Sequence, residues 1–192
     1  MKAITLHQPH AHLIGIGVKP FETRGWKTHY RGLIAIHAAK IQNDELDGLV
    51  VDPNDDHPAF LEPYNHYLPA NWNDYFGDLN HGGIECLAVL ERIISAPTLH
   101  QTLLSEASMC ETDDGRRYFQ HAAAFGNFGA GRWAWRLDVR FVIQGNRGGV
   151  VHGYKGLWNL PSSTEAELLS AYRQSTGKMI CRVCGCTDDS AC

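Results

Sequence analysis

GVKPFETRGWKTHYRGLIAIHAAK, residues 17–40, is the stretch on which the reading of this chain turns. Lys19, Glu22, Arg24, Trp26, Lys27, Tyr30 and Arg31 crowd its first part. An apolar run follows over 33–38, broken only by His37, and reads as a buried strand. Cations, one carboxylate and aromatic rings in so short a span suit a ligand that carries both phosphate and a stackable base.

Working outward, residues 3–6 read as a short strand. Gln8-Pro9 opens a helix of roughly two turns, because proline is tolerated at the first helical position. Leu13, Ile14 and Ile16 face its core side, and Gly15 and Gly17 end it. Residues 21–23 are extended. Residues 84–95 form a long strand that is apolar on both faces, and 97–119 mixes short helix and loop. Over 132–143, Trp133, Trp135, Leu137, Val139 and Phe141 alternate with polar or small residues, which predicts one strand with all five rings and aliphatics on a single face. Residues 145–156 are turn-rich, with one short strand at 150–152. Ser162 with Glu165 is a capping-box pattern, and the helix it starts runs to about 175, before Gly177. This order predicts an α+β fold built on a small mixed β-barrel, with flanking helices and a Cys-rich tail. The domain covers 1–160 with an acidic insertion at about 43–83, the C-terminal helix covers 161–177, and the tail covers 178–192.

A chain of 192 residues is long enough to bury a core without disulfides. No apolar run is long enough to cross a membrane, and the N-terminus lacks the apolar centre of a secretory signal, so a cytoplasmic protein is expected. The net charge of −4 excludes a duplex binder driven by charge alone. Its distribution is uneven. No Lys or Arg occurs between Ile41 and Glu91, whereas Asp and Glu recur throughout that span. That stretch reads as a solvated loop; the sharper reading is a nucleic-acid mimic or a lid that repels stray phosphates.

The chain resembles the ASCH (ASC-1 homology) domains of the PUA-like superfamily. Their Gly-x-Lys-x-x-Glu-x-Arg motif stands here as Gly17, Lys19, Glu22 and Arg24, and GRWAWRLDVR at 131–140 and GLWNLP at 156–161 support the match. The resemblance spans roughly residues 1–160. It implies a PUA-like barrel with a cleft between the first helix and the barrel wall, used for RNA, DNA or a single modified nucleoside. His7 and His10 depart from the family, which often has Trp at those places. Imidazole reduces stacking area there and adds a titratable donor. Some small relatives resemble amidohydrolases that deacylate N4-acetylcytidine with a Lys, a Thr and a Glu. Lys19 matches the Lys, but Glu22 stands where the Thr is expected. Thr23 is adjacent and, on a strand, faces the other way. Glu106 and Glu111 are candidates for the third residue. Nuclease activity is attributed to other members.

The primary reading is therefore a binding module for single-stranded RNA, a nucleotide or a modified nucleoside. Arg24 and Arg31, with Lys19, would contact phosphate, and Trp26, Trp133 or Trp158 would stack a base. Tyr30, His37 and Arg132 complete the candidate ligand-binding set. The alternatives are an amidohydrolase of the N4-acetylcytidine type, with Lys19 and Glu22 as an acid/base pair, and a protein-interaction module; a ribonuclease ranks behind them. A bland role also remains for Lys19 and Glu22, a salt bridge that closes the barrel. The main site requires no cofactor. In the tail, Cys181, Cys184, Cys186 and Cys192 have spacing suited to zinc, with an iron–sulfur cluster or free thiols as the other readings. His7, His10 and His12 diverge at a strand–helix junction and make a poor metal set. Cys86 and Cys110 read as inert core thiols.

Overall fold

The strand β3 (Gly32–Ala38) is buried along its whole length, and the rest of the fold follows from covering both of its faces. The structure, a computed structural model, describes residues 1–40, 79–143 and 149–176. Most of the acidic insertion and the whole Cys-rich tail, including all four candidate zinc ligands, lie outside those residues.

On one side β3 pairs in parallel with β1 (Lys2–Leu6), and on the other it pairs antiparallel with β4 (Ile84–Ser95). β5 (Trp133–Val142) flanks β4, and β2 (Phe21–Arg24) and the short β6 (Leu157–Asn159) form the two edges. The result is one mixed sheet of six strands in the order β2-β5-β4-β3-β1-β6. The helix α1 (His10–Gly15) lies on one face, with Ala11 and Ile14 against Ile4, Ile34, Ile36, Leu90 and Trp135. The helix α4 (Ser162–Thr176) covers the other face, with Leu168, Leu169 and Tyr172 against Ala3, Leu33, Ala35 and Leu87. A third cluster joins α2 (Ala96–Met109) and α3 (Asp113–Ala124) to Phe21 and Ala134. No described helix is long and apolar enough to cross a membrane.

The fold is α+β on a mixed sheet, as the order of elements implies, but strand pairing leaves the barrel half closed. Two irregularities between β4 and β5 bend it. Bulged strands turn and twist more tightly than regular ones. The bend carries β2 round to β1 although three strands separate them in the sheet, and Arg24 Nη2 donates to the Thr5 carbonyl across the gap at 2.9 Å. A side chain, not a ladder, thus closes this wall.

One bulge also corrects the expected face of β5. Leu87 pairs with Phe141 and Ala88 with Val139, so Arg140 is extra. A one-residue offset exchanges faces. Trp133, Trp135, Leu137 and Val139 stay with α1, while Phe141 crosses to the α4 side and stacks on Tyr172 at 5.5 Å. Four further expectations change. Ile16, just past the end of α1, is 43% exposed and not on its core side. Residues 150–152 form no strand. The region after β4 is two full helices rather than short pieces. The Glu165 carboxylate accepts from the Met1 amino group.

Candidate functional site

Lys19 is the residue from which the site is built. It follows α1 and is 2% exposed, so its ammonium group has lost almost all of its water. Nζ recovers two partners, donating to the Phe21 carbonyl and to Glu22 Oε2, both at 2.7 Å. Glu22 Oε1 lies 3.0 Å from Arg24 Nε. Lys19, Glu22 and Arg24 are therefore one ion triad with a net charge of one positive, in which Lys19 and Glu22 are buried and Arg24 is half-buried. Burial alone would raise the Glu22 carboxyl, but the charges of Lys19 and Arg24 and the Lys19 hydrogen bond hold it below the usual carboxylate range. It is an ionised acceptor at neutral pH.

Glu22 and Arg24, but not Lys19, open onto a cavity of about 970 Å³. The cavity lies where β1, β2 and β3 end, between the start of α1 and the segment 150–156. His10 lines it beside the triad, and burial, then the positive charge of Lys19, pushes its ring down to about 4. The ring is neutral at pH 7 and can both donate and accept.

The opposite wall is made by His37 and the segment that crosses it. His37 is 1% exposed, and its Nε2 lies 3.0 Å from the Val151 carbonyl oxygen. Burial lowers its pKa, and the hydrogen bond to Val151 opposes the shift. The Val151 amide in turn donates to the Gly82 carbonyl at 2.7 Å. Gly153 comes so close that a Cβ there would stand 2.5 Å from His37 Cε1 and 2.7 Å from Thr5 Oγ1. Gly153→Ala is accordingly expected to displace the wall and to cost about 1–3 kcal/mol of stability. Gly25→Ala, at a site with nothing within 4 Å of the new Cβ, should change stability little. Urea denaturation of the two variants checks this, and equal midpoints would contradict the packing described.

The mouth carries exposed rings and cations. Trp26 is 36% exposed and meets the fully buried Trp135 edge-on at 4.7 Å, while Trp135 Nε1 donates to the Trp26 carbonyl at 3.3 Å. Tyr154 is 56% exposed, with its ring against Trp158. Lys40 and Lys155 also line this opening and are exposed.

Of the residues singled out from the sequence, the structure brings Glu22, Arg24, Trp26 and His37 to this cavity. Lys19 supports Glu22 from behind. Trp158 stands behind the wall, where its Nε1 donates to Thr5 Oγ1 at 3.1 Å and its ring meets His37 edge-on. Tyr30 donates to the Leu33 carbonyl, and Arg31 donates to the carbonyls of Thr28 and Tyr30; both hold the turn before β3. Arg132 donates to the carbonyls of Thr23 and Asn127, and Trp133 lies under the Lys27 ammonium group at 4.8 Å. None of these four lines the cavity. Thr23 faces away, and its Oγ1 accepts from the Asn127 amide. Glu106 and Glu111 are exposed and outside the cavity. His12 turns instead to Glu85, at 4.0 Å. Among the described residues no cluster of three His, Cys, Asp or Glu side chains could hold a metal ion. Cys86 is wholly buried and its thiol is pushed up by burial, whereas Cys110 is only half-buried, in the turn between α2 and α3.

Sequence reasoning missed Thr5, Lys40, Tyr154 and Lys155 as cavity residues, whereas His7 and His10, at the two positions where the resemblance expects Trp, do line it. For Tyr154 and Lys155 a signal existed. Gly149, Gly153 and Gly156 punctuate a segment with two aromatic or imidazole rings, and such a loop has to lie against something.

No family model matches the chain, and no curated protein matches it. Among solved structures the chain is similar to the crystal structure of ASCH from Zymomonas mobilis, with a TM-score of 0.39 and 16% identity, over 88% of this chain and 93% of that one.

Proposed function

We propose that the cavity binds an unpaired nucleotide, either within single-stranded RNA or as a free nucleotide or nucleoside. The observation that carries this reading is the combination within one opening: the exposed residues Trp26, Tyr154, Lys40 and Lys155, and the Glu22–Arg24 pair beneath them. Rings supply stacking, exposed cations suit phosphate, and a paired acceptor and donor suit a base edge. The motif of Gly17, Lys19, Glu22 and Arg24 supports the same class through its resemblance to ASCH domains. A duplex fits poorly. The protein is net acidic, and the cavity is recessed between α1 and 150–156. An amidohydrolase draws no support from these positions. Lys19 Nζ is taken up behind Glu22, and Thr23 points to the other face.

Calorimetric titration with AMP, CMP, GMP, UMP and a short single-stranded RNA tests the reading. Binding should be saturable, and Trp26→Ala should weaken it about 5- to 150-fold, the range for loss of one stacked base. Absence of binding by every one of these probes would remove the reading.

A further inference from the structure

We infer that the nucleotide enters base first and is read on its Watson–Crick edge, with an N–H of the base donating to Glu22 while its phosphate stays at the mouth with Lys40 and Lys155. This rests on the nucleotide reading above and adds the direction of entry and the edge that is recognised.

The argument starts from what each part of the wall can accept. Glu22 is an ionised carboxylate, so it can accept hydrogen bonds and donate none. Lys19 takes Oε2 from behind and Arg24 lies beside Oε1, yet each oxygen keeps a further lone pair, and the residue's small remaining exposure belongs to a cavity-lining side chain. Any ligand that fills the cavity displaces solvent from those oxygens. A ligand without a donor there would leave a buried charge without its hydrogen bonds, which is costly. Phosphate cannot take that seat. It presents acceptors and a like charge to a carboxylate.

Arg24 completes the complement. Nη2 donates to the Thr5 carbonyl, Nε lies 3.0 Å from Glu22 Oε1 as an ion pair without a hydrogen bond, and a guanidinium has five N–H donors in all. The wall therefore offers an acceptor beside a donor. A Watson–Crick edge offers the matching pair in every base: an amino or imino N–H next to a carbonyl oxygen or ring nitrogen. In a duplex that edge is occupied, so the same geometry demands an unpaired base. The cations at the mouth fix the direction. Lys40 and Lys155 are exposed, whereas Glu22 is deep. Base and phosphate stand at opposite ends of a nucleotide, so phosphate at the lysines places the base, not the ribose, against Glu22.

The test varies the ligand and leaves the protein intact, so a misfolded variant cannot confuse it. Affinities of the wild-type chain are measured calorimetrically at pH 7.5 for the four ribonucleoside monophosphates and for two nucleotides whose bases carry no N–H donor. Purine riboside 5′-monophosphate is the counterpart of AMP and GMP, and pyrimidin-2-one riboside 5′-monophosphate that of CMP and UMP. Both lack the donor without added bulk. Ribose 5-phosphate and inorganic phosphate complete the series. The tightest of the four parents should lose about 10-fold or more in affinity against its donor-free counterpart, the range for a hydrogen bond to a charged group. Ribose 5-phosphate and phosphate should bind far more weakly than that parent. Equal affinity for parent and donor-free nucleotide, or for parent and ribose 5-phosphate, overturns the base-first inference and leaves the nucleotide reading standing. No binding by any parent overturns both.

Discussion

Glu22→Ala is expected to lower the free energy of unfolding by about 3–5 kcal/mol, the usual cost of removing one partner from a buried ion pair. The reason is what remains. Lys19 is 2% exposed, and without Glu22 its ammonium group keeps only the Phe21 carbonyl. The loss is therefore mostly a stranded charge, not a missing attraction. Replacing both residues removes the fully buried charge as well as its partner and leaves only the 24% exposed Arg24 without Glu22, so Lys19→Met with Glu22→Leu should recover much of the lost stability. Double-mutant analysis of urea unfolding checks this. If Glu22→Ala alone falls within about 1 kcal/mol of the wild type, the Lys19–Glu22 pair is not buried as described.

Acidification should destabilise the protein well before its surface carboxylates titrate. His10 has a folded pKa of about 4, against an ordinary value of 6.5. The unfolded chain therefore gains a proton between pH 6.5 and 4 that the folded chain refuses. Stability from this source is complete above pH 6.5 and declines as pH falls through that window, by about 1–3 kcal/mol for a ring that keeps some solvent contact. The depressed ring of His12 adds in the same direction, through its burial. Glu22, also depressed, extends the loss to lower pH as the folded carboxyl at last protonates. Glu85 works oppositely. Burial raises it, against the hydrogen bond from Gln8, so its contribution is present at low pH and is lost as pH rises through its folded value. Comparison of the wild type with His10→Asn isolates the His10 part. The variant should show a flatter decline between pH 6.5 and 4.5 in chemical denaturation, and an unchanged slope would contradict the placement of His10.

Most of the fold was legible because its decisive strands are unusually apolar. β3 has to be covered on both faces, and β4 carries apolar residues on both of its own. What could not be read is the phase of β5. Its alternation of Trp133, Trp135, Leu137, Val139 and Phe141 is unbroken in sequence, and only the pairing with β4 inserts Arg140 as an extra residue. A bulge is a property of two strands, and neither strand's own sequence announces it.

The site divides in the same way. Glu22 and Arg24 are two apart on a strand and so share a face, and the local motif placed them together. Arg31 and Tyr30 belong to the same basic and aromatic stretch, yet they are spent on the carbonyls of their own turn. Composition cannot distinguish a cation that caps a turn from one that faces a ligand. His10 and His37 sit 27 positions apart in sequence and meet one cavity only because the parallel pairing of β1 with β3 brings both chain segments to the same end of the sheet. Lys40, Tyr154 and Lys155 depend on the segment 150–156 lying across that end, which rests on the Val151 hydrogen bonds and on the close approach at Gly153.

The imidazole signals of the protein measure the central claim most directly. His10 and His37 line the cavity, whereas His100 and His121 belong to α2 and α3 on another part of the molecule. In a carbon–proton correlation spectrum recorded while AMP, CMP, GMP and UMP are added in turn, at least one nucleotide should shift His10 and His37 in a saturable manner and leave His100 and His121 in place. Unmoved His10 and His37 signals at saturating concentrations of all four nucleotides, or shifts centred on His100 and His121, would contradict the account.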